Sequence, residues 1–311
     1  MDKNIYHQRL ELMNWREGLT VEQKKKLLSY ERGFEGEKLF GEFLRRHEKK
    51  QWKVMHDVNL KTQLGHTQLD YLVLTDHTIY LFEVKNYQCD CVWNDGQWYF
   101  ADGHRMDKNF THQLQQSKQH LTSIFKDTAY PPKIIPCLVF VNAHYQVQLY
   151  DKIDVTVLNE WQIASYLKQI PSNTHLKSAQ INYRRIKDFL NPAAEYFFMP
   201  NEPWQESYRR RIYCQACHEF LLEEKYRSFI CLNCGLAETK KSLVKRLTKE
   251  YCLLFLKEYI TTSAIDELGN GELGVKLIYR YLSQNYDHVS SGRHRKYRNP
   301  YYRTRDELLS W

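Results

Sequence analysis

Three charges interrupt an otherwise apolar stretch, TQLDYLVLTDHTIYLFEVKNY, at residues 67–87. They are Asp70, Glu83 and Lys85. A turn centred on Asp76–His77 pairs Leu74 with Ile79, Leu72 with Leu81, Asp70 with Glu83 and Gln68 with Lys85. Directly opposed residues of an antiparallel pair share a face, and side chains alternate along each strand. One face therefore has an apolar half (Leu72, Leu74, Ile79, Leu81) and a polar half (Asp70, Glu83, Gln68, Lys85). The opposite face carries Leu69, Tyr71, Val73, Tyr80, Phe82 and Val84. Two half-buried carboxylates facing each other repel, and one would normally take up a proton. A divalent cation between them removes the conflict, and oxygen ligands suit Mg²⁺ or Mn²⁺. The plainer alternative is a salt-bridged strand end in which Lys85 neutralises one acid. The register is what favours an ion.

A third acid precedes this hairpin. In GFEGEKLFGEFL, Phe40 and Leu44 follow Glu37 at spacings that share a helix face. Glu37 therefore sits on an apolar stripe, or at its partly exposed edge. Gly33 and Gly36 would let this helix approach a sheet closely.

The elements that must position these groups are legible as periodicities. Residues 1–30 read as a helical lead-in. Apolar segments WKVMHDVNL, LDYLVLT, TIYLFEVKNY, CVWNDGQWYF, KIIPCLVFVN and IDVTVLN are rich in β-branched and aromatic residues, as strands are. THQLQQSKQHLTSIF reads as a helix with Leu114, Leu121, Ile124 and Phe125 on one face. Gln116 and His120 lie four apart on that helix and could orient substrate or water, or simply be solvated. Strands mixed with helices indicate an α/β or α+β domain.

Taken in order, GFEGEKLFGEFL, HTQLDYLVLTDHTIYLFEVKNY and WNDGQWYF resemble the NERD (nuclease-related) domain, a branch of the PD-(D/E)XK nuclease-like superfamily. The resemblance covers roughly residues 31–160. Its glycine–glutamate helix start matches Gly36–Glu37, its Gln-hydrophobic-Asp matches Gln68–Asp70, and its acid-x-Lys-Asn-Tyr matches Glu83–Tyr87. Its Gln-x-x-x-His helix matches Gln116 and His120. One departure is His112–Gln113, where many members have Asn-Pro ahead of the glutamine helix. The resemblance implies a restriction-endonuclease-like mixed sheet flanked by helices. It implies that Asp70 and Glu83 hold Mg²⁺ or Mn²⁺ and that Lys85 stabilises negative charge or positions the attacking water. Glu37 would hold a second metal or a metal-bound water, and Gln116 would complete the catalytic set.

CQACHEFLLEEKYRSFICLNCG pairs Cys214 with Cys217 and Cys231 with Cys234. Two C-x-x-C units joined by strand-like halves read as a structural four-cysteine zinc ribbon. Two redox motifs are the alternative, but no thioredoxin-like context surrounds them. Cys89, Cys91, Cys137 and Cys252 read as packing residues. Arg209, Arg210 and Arg211 precede the ribbon and offer phosphate contacts, or a solvated face. Residues 239–311 read as helices with helix-turn-helix spacing and a basic aromatic tail containing Arg293, Arg295, Lys296 and Arg298. That module, with a winged helix as one form of it, would bind DNA; the alternative is a small bundle with a solvated tail. GNGELG has no strand ahead of it and reads as a turn between helices, not a dinucleotide loop.

The chain has 311 residues, 42% hydrophobic and 26% charged, with a formal charge of +8. This balance fits an anionic partner. No apolar run is long enough to span a membrane, and the N-terminus lacks a secretory signal's apolar segment, so a cytoplasmic protein is expected. No GxxxxGK or G-x-S-x-G motif occurs, which argues against built-in ATP hydrolysis or a serine-hydrolase elbow. The expected order is a lead-in at 1–30, the nuclease-like domain at 31–190, a linker at 191–204, a zinc ribbon at 205–238 and a helical module at 239–311. The expected activity is metal-dependent phosphodiester hydrolysis, DNA ahead of RNA. The competing readings are an idle nuclease-like core that binds nucleic acid, and a zinc-stabilised interaction adaptor. Further copies of the chain or other proteins are additional partners to consider.

Overall fold

The structure is a computed structural model, and it describes residues 3–49, 52–172, 176–191, 208–290 and 295–303. The expected linker therefore lies, apart from Asn191, outside the described residues, as does Arg293. The chain divides into two compact units, with the boundary between Leu27 and Leu28 inside one long helix. The described residues before that boundary group with those from Tyr208 onward. No helix among the described residues is long and apolar enough to cross a membrane.

The first unit is a mixed α/β layer structure. Strands β1 (Lys53–Thr62), β2 (Gly65–Leu74), β3 (Thr78–Lys85), β6 (Lys133–Phe140) and β8 (Thr156–Asn159) form one sheet in the order β1-β2-β3-β6-β8. The first three are antiparallel neighbours, and β3, β6 and β8 are parallel. A parallel pair needs a crossover. Between β3 and β6 that crossover contains β4 (Cys91–Asn94), β5 (Gln97–Phe100) and helix α3 (Phe110–Phe125). A small second sheet has the order β5-β4-β7, with β7 at Val147–Leu149. Asn109 caps α3 by accepting from the His112 N–H.

Both faces of the large sheet are covered. On one, Leu72, Leu74, Ile79, Leu81, Leu138 and Phe140 pack with Phe110, Leu114, Leu121, Ile124 and Phe125 of α3. On the other, Tyr71, Val73, Tyr80, Phe82, Val84, Cys137 and Val139 pack with Phe40 and Leu44 of α2 (Val21–His47) and with Ile163 and Leu167 of α4 (Glu160–Gln169). Leu69 corrects the alternation expected from sequence: it packs with Leu72 and Leu74, not with Tyr71. The reason is a fault in the β1–β2 ladder. Pairing runs from Lys53–Leu74 to His56–Tyr71 and resumes at Val58–Leu69, skipping Asp57 and Asp70. Asp57 has φ 49°, so both strands rotate there and their later side chains change face.

Close approach of α2 to the sheet depends on Gly36 and Gly41, not Gly33. A Cβ on Gly36 would lie 2.6 Å from Asn86 Cβ, and one on Gly41 would lie 2.6 Å from Tyr71 Oη, whereas Gly33 faces open space. Asn86 also donates to the Arg32 carbonyl, latching the end of β3 to α2. Gly36→Ala is therefore expected to cost about 1–3 kcal/mol by overpacking. Gly33→Ala should gain about 0.5–1 kcal/mol from helix propensity. Urea unfolding of the two variants checks this opposition.

The second unit contains α1 (Ile5–Trp15), β9 (Leu222–Glu224), β10 (Ser228–Cys231) and β11 (Ala237–Thr239), followed by α6 (Lys240–Phe255). Helix α5 (Leu176–Lys187) belongs to the first unit. A buried ionic knot holds the second unit. Glu250 accepts from Arg16 Nη2 at 2.7 Å, Arg246 Nη1 at 2.7 Å and Tyr213 Oη at 2.8 Å. Trp15 stacks on His218 with ring centroids 4.1 Å apart. No local pattern in the chain announces this network, because its members come from α1, the ribbon and α6.

Candidate active site

The acids gather where β3 leaves β2. The β2–β3 ladder follows the expected register from Leu74–Ile79 to Tyr71–Phe82 and stops there. β3 stays paired with β6 through Lys85. The expected Asp70–Glu83 and Gln68–Lys85 pairs are thus replaced by a fork. The Asp70 carboxylate fills the fork, accepting from the Val84 N–H at 2.7 Å. A side-chain acceptor takes the place of the strand neighbour that this amide would otherwise need.

Glu83 is 2% exposed. Its Oε1 accepts from Lys85 Nζ and from Gln113 Nε2, each at 2.7 Å. Its Oε2 is buried and has no hydrogen-bond partner among the described residues. Lys85 Nζ also lies 4.8 Å from the centre of the Phe110 ring.

The charges perturb one another strongly. Burial, then Glu83 and Glu37, push the Asp70 carboxyl well above its ordinary value. Burial, then Asp57 and Glu83, raise Glu37 to about 7. Burial pulls Lys85 down, but Glu83 and Asp70 together outweigh it, and its ammonium is held more firmly than usual. Protonation therefore favours the metal-free fold. The folded value of Glu37 lies above its ordinary 4.5, so stability is lost as pH rises from 4.5 through 7. The Glu37 share of that loss should reach at most about 3 kcal/mol. Denaturation midpoints across that window should fall for the metal-free chain and fall less for Glu37→Gln, which removes the Glu37 share and leaves that of Asp70.

The expected Gln116 lies on α3. Gln116 is exposed, and Gln113, one turn earlier, is the glutamine that reaches Glu83. His120 shares a hydrogen bond with Thr62 at 2.8 Å, and burial lowers its pKa. Asp57 was missed from sequence; its Oδ1 accepts from Gln68 Nε2 at 2.8 Å. Its signal was the broken alternation Met55, Val58, Leu60 in an otherwise regular strand.

Residues 32–141 match the family model NERD, the nuclease-related domain. The chain carries a nuclease-related domain. The match takes in Glu37, Asp57, Asp70, Glu83, Lys85 and Gln113 together. No curated protein and no solved structure gives a match to the chain.

Outside the nuclease-related domain, the four ribbon cysteines converge. Cys214 and Cys234 Sγ are 3.5 Å apart, as are Cys217 and Cys231 Sγ, and all four lie within 4.8 Å of one another. All are free thiols. The spacing is too long for a disulfide, at about 2.05 Å. It fits a tetrahedron of about 2.3 Å metal–sulfur bonds, whose sulfurs sit about 3.8 Å apart. Among the described residues, no trio of carboxylates draws together this tightly.

Arg209, Arg210 and Arg211 form ion pairs with Glu17, Glu267 and Glu272. These three arginines therefore offer less free positive charge than their run suggests. In the tail, Lys296 and Arg298 are exposed, and Arg295 lies 5.7 Å from the Tyr279 ring centre.

Proposed function

We propose that the nuclease-related domain is a divalent-metal-dependent nuclease of the PD-(D/E)XK kind, hydrolysing phosphodiester bonds in DNA ahead of RNA. The observation that carries this reading is Glu83 Oε2, a buried carboxylate oxygen that has no hydrogen-bond partner among the described residues and lies beside Asp70 and Glu37. A buried acceptor left unmade is costly, and a hard cation satisfies it while relieving the repulsion among the acids. Two carboxylates with water as the remaining ligands suit Mg²⁺ or Mn²⁺ better than a closed protein cage. When bound, the cation supplies charge neutralisation at a phosphate oxygen and a more acidic water.

The chain's own groups supply the rest. Asp70 is fixed by the Val84 amide, and Glu83 by Lys85 and Gln113. The Lys85 ammonium is assigned to the negative charge that develops on the phosphate. Glu37 is assigned to the attacking water, because a carboxyl near 7 suits taking a proton at neutral pH. The four cysteines are assigned a structural Zn²⁺, which four thiolates enclose without an open position.

Incubating the whole chain with supercoiled plasmid, linear duplex and RNA tests the reading. Cutting with added Mg²⁺ or Mn²⁺, and none without, is expected. A folded, zinc-loaded chain that cuts none of the three with either metal overturns it.

A further inference from the structure

We infer that residues 240–290 and 295–298 form a winged helix-turn-helix that binds duplex DNA through the outer face of its second short helix. The inference rests on the proposed function only for the expectation of a nucleic-acid partner; its geometry is independent of the nuclease-related domain.

The chain order carries the fold. After α6 come β12 (Tyr259–Ile260), α7 (Thr262–Leu268), α8 (Val275–Asn285) and β13 (Tyr297–Arg298). β12 pairs antiparallel with β13 through Tyr259–Arg298 and Ile260–Tyr297. A third stretch joins on β13's other side. His288 bridges Tyr297, the Val289 N–H donates to the Lys296 carbonyl, and the Arg298 N–H donates to the Asp287 carbonyl. Among the described residues, three helices, two short strands and one bridged stretch, with β13 in the middle, are thus threaded in the order helix, strand, helix, helix, bridged stretch, strand.

The ribbon is fixed to the helices. Asn299, 2% exposed, donates from Nδ2 to the Cys252 and Lys257 carbonyls, each at 3.0 Å. Tyr297 is fully buried and shares a 2.8 Å hydrogen bond with Ser283 of α8. The turn between α7 and α8 packs tightly on α6, where a Cβ on Gly269 would lie 2.8 Å from Leu247 Cδ2.

That packing settles which side of α8 is free. Ile278 and Leu282 are fully buried, whereas Lys276, Tyr279, Arg280 and Gln284 are exposed. The sequence of α8, VKLIYRYLSQN, contains no carboxylate. Lys276 and Arg280 have no ion-pair partner among the described residues. Arg295, from the ribbon side, lies over the Tyr279 ring and extends the basic surface beside the helix.

The chemistry fits one occupant. Lysine and arginine at the rim meet phosphates, which sets register on the duplex. Arginine and glutamine can each form paired hydrogen bonds to base edges, to guanine and adenine respectively. The major groove of B-form DNA admits an α-helix. The major groove of A-form RNA is too deep and narrow for the same approach. Duplex DNA, and not duplex RNA, is therefore the ligand.

Fluorescence anisotropy on the full chain carrying Asp70→Asn, without added Mg²⁺ or Mn²⁺, tests this apart from cleavage. The probes are a labelled mixed-sequence DNA duplex and an RNA duplex of the same sequence. DNA should bind at least about tenfold more tightly than RNA. Lys276→Ala combined with Arg280→Ala should weaken DNA binding at least about tenfold and reduce the log–log salt slope by roughly one, for the Lys276 phosphate contact. Arg280→Gln with Gln284→Ala should instead flatten preferences among duplex sequences. Equal binding of RNA, or a double-alanine variant with unchanged melting, affinity and salt slope, overturns the inference. A chain that binds DNA through α8 but cuts nothing leaves it standing while the nuclease reading falls.

Discussion

Asp70→Asn is expected to reduce phosphodiester cleavage by about 10²–10³-fold or more, with the metal-free melting temperature unchanged or raised. Asparagine keeps an oxygen that can accept from the Val84 amide, so the fork between β2 and β3 retains its plug. It removes a carboxyl whose ionisation is opposed by burial, Glu83 and Glu37. A purely structural acid would behave differently, because its loss would change stability and leave chemistry alone. Lys85→Ala provides the contrast. It strips Glu83, 2% exposed, of its ammonium partner and leaves Gln113 alone on that carboxylate. Breaking a buried pair this way costs about 3–5 kcal/mol. Both substitutions should therefore strongly reduce cutting, while only Lys85→Ala lowers thermal stability. Melting curves and plasmid cleavage on the same preparations separate the effects.

Cys231→Ser is expected to abolish stoichiometric zinc and unfold the segment between Cys214 and Thr239. The ribbon's three strands have three or four residues each, and between Cys214 and Thr239 the large apolar side chains buried are Phe220 and Phe229. So small a core cannot offset the entropy of ordering the segment. A structural zinc contributes roughly 10–16 kcal/mol of apparent binding energy at neutral pH in comparable small sites. Elemental analysis should find one zinc per chain in the parent and none in the variant. Limited proteolysis should then cut the variant inside the ribbon. A metal-free four-cysteine chain that resists protease there, or that proves to hold disulfides, contradicts the assignment.

The acids of the site were legible because they break strong local patterns. Asp70 and Glu83 interrupt apolar strands, and the hairpin register that opposed them held from Leu74–Ile79 to Tyr71–Phe82. The α/β class followed from strand-like and helix-like segments, the mixed sheet with flanking helices from the resemblance to the nuclease-related domain, and the cysteine cluster from spacing alone. What stayed hidden depends on long-range geometry. The fork at Asp70 arises because β3 follows β6 and abandons β2, and pairing with β6 is set across a long crossover. The Gln113 contact stayed hidden because it depends on where the helix starts, at Phe110, which orients Gln113 toward Glu83. The arginine run found carboxylates distant in sequence, at Glu267 and Glu272 among others. The third stretch of the C-terminal ribbon, 287–289, carries only a short, mixed signal that no periodicity could raise above a loop.

Anomalous diffraction from crystals of the chain grown with Mn²⁺ tests the central claim most directly. One manganese peak within coordination distance of both Asp70 and Glu83, with Glu83 Oε2 now ligated, is the expected result. No manganese between those two carboxylates at saturating concentration, with Lys85 still closing on Glu83, would contradict it.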